Sequence, residues 1–213
     1  MLIRLLSVRN DMKRRYEDVK MMESILENNR KVDAQLILKS SLMLMIYNMV
    51  EGTMSNLLME YFDHIHTENI SISSLPNELQ HTIQSYLDKK NSGNTDEENS
   101  GDTIFELSYS EITKYLKLFS GNLDSRSIRE VCKKVGVDLP ESIKEPVLLV
   151  VKNNRNKLAH GETKFNNACQ DITLDEAKKI CNKTQKYLQK IINEYERCLN
   201  NIHHSTFSGD ISE

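Results

Sequence analysis

Residues 150–161 read VVKNNRNKLAHG, where Arg155, Asn156 and His160 interrupt a stretch otherwise suited to burial. An imidazole changes protonation near neutral pH and works as acid or base, typically worth ~10²–10⁴ in rate. A guanidinium supplies a fixed, two-pronged cation for phosphate oxygens. The chemistry open to this pair without a metal is narrow, and it suits cleavage of an RNA phosphodiester. In RNA the ribose 2′-hydroxyl is an internal nucleophile, and the developing charge sits on phosphate oxygens. DNA lacks that hydroxyl, so the reaction itself separates the two nucleic acids.

Spacing constrains how these groups meet. On one helix, Asn156 and His160 are four apart and share a face, so the amide could hold one imidazole nitrogen and fix its tautomer. Arg155 and His160 are five apart and diverge by roughly 140°. They converge on one substrate if the helix breaks near Ala159, as Gly161 would permit, or if two copies meet across a twofold axis. The bare R-x4-H spacing arises often by chance. Its plain structural use is a histidine favourable to a helix C-terminus beside an arginine in a surface ion pair.

The elements that must carry this segment are helical. Leu5, Val8, Met12, Tyr16, Val19, Met22 and Ile25 recur at three and four, predicting a first helix over about 2–28 with a basic opposite face. A longer helix over about 33–65, with Asp33 a candidate N-cap, is apolar on most sides and belongs in the centre of a bundle. On it Met43, Met45, Met49, Met54 and Met59 stand at core spacing, and Gly52 would allow close approach of another helix. Pro76 opens a short helix to about 90. Residues 91–103, NSGNTDEENSGDT, have no apolar side chain and are expected to form a mobile acidic loop within one domain. Capping boxes at Ser108/Glu111 and Thr173/Glu176 open two further helices, the first ending at Gly121. Asp124 caps a helix over about 125–135 closed by Gly136, and Pro146 starts the helix that carries the candidate site. The expectation is an all-α bundle with two long helices, several short ones and a long C-terminal helix. It forms a single domain over 1–202, followed by a flexible tail over 203–213.

Composition narrows the class. Seven Gly and three Pro in 213 residues are too few turn residues for a sandwich or barrel. With a formal charge of −3, any nucleic-acid contact must be local. Such a patch is expected around the site, where Lys144, Lys152, Arg155, Lys157 and Lys164 face only Glu145 and Glu162. Among these, Lys152, Lys157 and Lys164 are candidate RNA contacts. Cys132, Cys169, Cys181 and Cys198 form no CxxC and read as reduced thiols, which with the charged N-terminus predicts a cytoplasmic protein without a membrane span. His64-x-His66 lacks an evident third ligand and His203-His204 falls in the tail, so neither a metal nor a cofactor is expected. Phosphate-binding and hydrolase motifs are absent from the sequence.

The run Arg155-Asn156-Lys157-Leu158-Ala159-His160-Gly161 resembles the R-x4-6-H motif of the HEPN superfamily, including a polar residue directly after the arginine. Three further pieces resemble its one-domain prokaryotic branch, the MAE-like or RiboL-PSP-like HEPN proteins. They are Met45-Ile-Tyr47-Asn48-Met-Val-Glu51-Gly, Phe119-Ser-Gly121-Asn122-Leu-Asp124 leading into Ile128-Arg129-Glu130, and the capping box at Thr173. The resemblance covers about residues 35–200.

That resemblance implies a helical homodimer whose two motifs face each other in a cleft. It implies metal-independent endoribonuclease activity leaving a 2′,3′-cyclic phosphate, often in toxin–antitoxin pairs or phage defence, with an antitoxin protein as a possible partner. The family also contains non-catalytic members that bind RNA, nucleotide or protein. Carried over by residue, Arg155 and His160 would be catalytic and Asn156 would orient His160. Tyr47, Asn48 and Glu51 would support or line the cleft, Glu51 either by pairing with Arg155 or by facing substrate.

Overall fold

A computed structural model describes residues 3–91 and 122–208. Among them the regular structure is helical throughout. The helices are α1 (Leu6–Asn28), α2 (Val32–Thr67), α3 (Asn77–Asn91), α4 (Ser125–Lys134), α5 (Val147–Ala159), α6 (Phe165–Ala168) and α7 (Leu174–Ser208), with a 3-10 turn at Ile72–Ser74. The fold is all-α, as the periodicity predicts. Of the acidic loop expected over 91–103, Asn91 instead ends α3 and residues 92–103 lie outside the described residues, as do the helix opened by Ser108 and its end at Gly121.

Helix α2 is the axis of the bundle because its apolar residues occupy most of its circumference. Leu42, Met43, Ile46, Tyr47, Met49, Val50, Met54, Leu57, Leu58, Tyr61, Phe62 and Ile65 are all buried on it. Helices α1, α5, α6 and α7 pack around this core. Burying each such side chain is worth roughly 1.5–3 kcal/mol, which is what holds a 36-residue helix at the centre. Met59 departs from the expected core set; it is 38% exposed, outside the buried arc. On α1 the stripe holds through Val19, but Glu23 and Leu26 are buried next and Ile25 faces out, because the expected Val19, Met22 and Ile25 advance by threes and fall behind a 3.6-residue period.

Local signals set the element ends. Asp124 accepts from the backbone N–H groups of Arg126 and Ser127, and Ser127 Oγ accepts in return from Asp124 N, closing a capping box at α4. Gly136, at φ +76°, follows α4 as its sequence position predicts. Gly136 N–H donates to Lys133 O and Val137 N–H to Cys132 O, the paired bonds of a Schellman end. A Cβ there would also sit 2.5 Å from Pro76 Cβ, so no other residue fits. Thr173 and Glu176 form the second expected box, at the start of α7.

Two helix ends differ from expectation, and one short helix is unexpected. Asp33 is not the cap of α2, which begins one residue earlier after Lys31; Asp33 falls inside the first turn, where its charge still favours the dipole. Helix α7 continues through Ser208, so Ile202 is not the end of ordered helix. Residues 165–168 add a short helix, α6, anchored on α2 where Ser40 Oγ donates to Phe165 O at 2.6 Å and Lys39 Nζ to Ile172 O at 2.8 Å.

Gly52 has the expected close neighbour. It is the guanidinium of Arg15 from α1, 2.5 Å from where a Cβ would stand. Arg15 is held there by Asp11, which also accepts from Asn56 on α2.

Candidate functional site

The site is built on the last two turns of α5, packed against the middle of α2. Val151 and Leu148 are the buried anchors on the α2 side, which leaves Leu149, Asn153, Lys157 and His160 on the outer face. The helix stops at Ala159 and His160 is its C-cap, with φ −87° and ψ 0°. Gly161 N–H donates to Leu158 O and Glu162 N–H to Lys157 O, again the paired bonds of a Schellman end. Gly161 sits at φ +68° with nothing within 4 Å of a would-be Cβ, so its need for glycine is purely conformational. The break near Ala159 that the sequence allowed is therefore present, and it places His160 exposed at the helix end.

Arg155 lies on a different side, half-buried toward α2. Its guanidinium carbon stands 4.8 Å from the centre of the Tyr47 ring, a cation–π arrangement. Arg155 Nη1 donates to Asn156 Oδ1 at 3.0 Å. Tyr47 is buried, and its hydroxyl accepts the Leu123 backbone N–H at 3.0 Å. Burial chiefly pushes the Tyr47 phenol up to about 12. The Leu123 bond and Arg155 pull it down, while the Glu51 carboxylate raises it by charge and by accepting a hydrogen bond. Tyr47 is thus a neutral phenol wedged between Glu51 and Arg155.

Several expected roles are displaced. Asn156 does not hold the imidazole: Oδ1 takes Arg155, Nδ2 donates to Asn122 Oδ1 at 2.6 Å, and the amide turns away from the helix end. The His160 side chain has no hydrogen bond to any described residue. Glu51 forms no described ion pair with Arg155, because one helical turn returns it to Tyr47 on its own helix. Asn48 is exposed, one turn before Gly52 on α2.

The basic groups divide likewise. Lys152 is bound to the Asp124 carboxylate, both side chains about four-fifths buried, so it is a strut between α5 and the cap of α4. Burial raises the Asp124 carboxyl, but its bonds from Lys152 and Ser127 outweigh that and hold it below the usual value of 3.8. Lys157 and Lys164 are exposed and in no described ion pair. Elsewhere, Arg129 is taken up by the carbonyls of Leu139, Pro140 and Ile143, and Arg126 by Glu130. On α1, Arg9 pairs with Glu196, Lys13 with Glu17, Arg15 with Asp11 and Lys20 with Glu23, so most of that helix's positive charge is neutralised.

The residues that sequence reasoning left without a role are Asn122 and the Leu123 amide. Neither belongs to the helix that carries the motif; their signals were their place beside the Asp124 cap and within the Phe119–Asp124 piece that carries the resemblance. Among the described residues no three His, Cys, Asp or Glu side chains could hold a metal ion, and no helix is long and apolar enough to cross a membrane. All four cysteines are free thiols.

Compared with known proteins, residues 5–203 match a family model described as HEPN_MAE_28990-like HEPN, including the first helix. No curated protein and no solved structure matches the chain.

Proposed function

Because the chain belongs to the HEPN_MAE_28990-like HEPN family, we propose that it is a metal-independent endoribonuclease acting as a homodimer, of the toxin–antitoxin or phage-defence kind. The observation that carries this reading is the end of α5. A Schellman turn releases His160 to solvent while Arg155, five residues back and on another side of the helix, is half-buried and braced by Tyr47 and Asn156. An exposed proton carrier and a braced cation are the two groups that 2′-hydroxyl attack uses, and their different sides of α5 call for a second subunit to bring them to one phosphate.

In that reaction one imidazole takes the 2′-hydroxyl proton as the 2′-oxygen bonds to phosphorus. The bond from phosphorus to the 5′-oxygen breaks, and a second imidazole returns a proton to the leaving oxygen. The products are a 2′,3′-cyclic phosphate and a 5′-hydroxyl. Arg155 offsets the charge on the non-bridging oxygens. One subunit supplies one His160, so acid and base together call for two copies of the motif in a shared cleft. Exposed Lys157 and Lys164 extend the cationic surface beside it.

The test is incubation of purified protein with RNA in excess EDTA. The expected result is cleavage with cyclic phosphate ends, lost in both Arg155→Ala and His160→Ala. Equal cutting by those variants would assign the activity to a contaminant. The second reading is a non-catalytic HEPN module, favoured by the guanidinium's existing bonds within its own subunit. It expects RNA retention on a filter without cleavage by the wild type.

A further inference from the structure

We propose that Asn122 is a positioning residue that, through the Asn156 amide, sets the direction in which Arg155 meets a phosphate. Its consequence for catalysis rests on the nuclease reading above; its geometry does not.

A guanidinium only donates. Since Arg155 Nη1 donates to the Asn156 side chain at 3.0 Å, that amide must present its oxygen to the guanidinium and turn its nitrogen away. The nitrogen then donates to Asn122 at 2.6 Å, so Asn122 must in turn present oxygen. Without that acceptor, the Asn156 amide is free to turn over and face donor against donor. The guanidinium is restrained independently by the Tyr47 ring at 4.8 Å, and the Tyr47 hydroxyl accepts from Leu123 N–H at 3.0 Å. Asn122 and Leu123 are consecutive, so the contacts close into a ring through Asn122, Asn156, Arg155, Tyr47 and Leu123.

The next residue locks the ring in place. Asp124 binds Lys152, one turn before Asn156 on α5, while its carboxylate caps α4. Three successive residues of one connecting segment therefore grip α2, α5 and α4. A fixed dipole or cation stabilises a transition state without reorganising, so aiming the guanidinium beforehand raises the rate rather than the affinity.

The experiment uses the full chain with ¹⁵N-labelled arginine. The Arg155 signal is identified by its loss in Arg155→Lys, and rotation about its Nε–Cζ bond is measured by NMR. Wild type is expected to show the most hindered rotation, Asn122→Ala faster rotation with only the Tyr47 ring still restraining it, and Asn122→Asp restored hindrance, because a carboxylate still accepts from Asn156. The double variant Asn122→Asp/Asn156→Ala removes the amide that links the two and is expected to free the group again. On RNA, Asn122→Ala should lower kcat by about 10–100-fold with KM little changed, and Asn122→Asp should recover most of the loss.

Free rotation in wild type, or an Arg155 signal indifferent to Asn122→Ala, overturns the proposal. So does a freed guanidinium with unchanged kcat. If wild type cuts no RNA, the nuclease reading fails, while the NMR measurement still decides whether the ring holds Arg155. Asn122 is exposed in the connecting segment before the Asp124 cap, so its variants are expected to fold.

Discussion

Three lysines near the motif look equivalent by type, yet their surroundings separate them. The Asp124 carboxylate occupies Lys152 in a mostly buried pair, whereas Lys157 and Lys164 extend into solvent. Only the latter two have counterions to exchange for phosphates. With single-stranded RNA, Lys157→Ala and Lys164→Ala should each flatten the plot of log affinity against log salt by about 0.7, and Lys152→Ala by less. Binding titrations at several salt concentrations check this; a steepest change for Lys152→Ala would contradict the assignment. The lysines were legible in the sequence as charges. Which one is neutralised was not, because the deciding carboxylate lies 28 residues away and reaches Lys152 only through packing.

At the level of elements, both ends that frame the site come from local signals. Gly161 ends α5 at +68° with free space around it, so Gly161→Ala should cost about 1–2 kcal/mol through backbone strain alone. Gly161→Asn, better tolerated in that conformation, should cost less in a thermal melt. Cleavage should follow the same order, since the turn sets where His160 emerges. The Asp124 cap gives a second expectation. Its carboxyl titrates lower in the folded chain than the ordinary 3.8, so its stabilisation is full above that value and is lost as pH falls through the lower folded value. Acid titration by circular dichroism of wild type and Asp124→Asn should therefore show a stability gap at neutral pH that narrows only below about pH 4. These ends could be read from sequence because glycines and capping boxes act within one turn. The bonds of Asn122 to Asn156 and of Tyr47 to Leu123 span 34 and 76 residues, and no periodicity encodes such pairs. The Asn156–imidazole contact failed for a related reason: helical spacing puts the two on one face, but Arg155 and Asn122 compete for the amide.

The whole molecule raises the question of the second histidine. Helix α5 exposes Leu149 at 49% and Val150 at 41%, two apolar side chains left unpacked by a helix whose inner face is already buried. Leu149, Asn153, Lys157 and His160 follow one another at four, four and three residues along its outer face, so the apolar end of this stripe leads directly to the imidazole. A twofold contact on Leu149 and Val150 with the two α5 helices running side by side in the same direction would bring the polar ends of two stripes to bear on one substrate, whereas an antiparallel crossing there would part the imidazoles by about 30 Å. Sedimentation should then find a dimer at micromolar concentration that Leu149→Lys splits, with cleavage lost in parallel. Mixing decides between a shared cleft and two independent ones. His160→Ala is expected to be inactive alone, and a dimer mixed from it and wild type retains only one imidazole. If the subunits share a cleft that needs both imidazoles, mixed dimers are inert, and excess His160→Ala extinguishes wild-type cleavage as subunits exchange; if each subunit works alone, the wild-type subunits keep their activity on mixing. Dimers that exchange subunits with no loss of cleavage per wild-type subunit would leave Arg155 and His160 to act within a single chain, which their divergence of roughly 140° along α5 argues against.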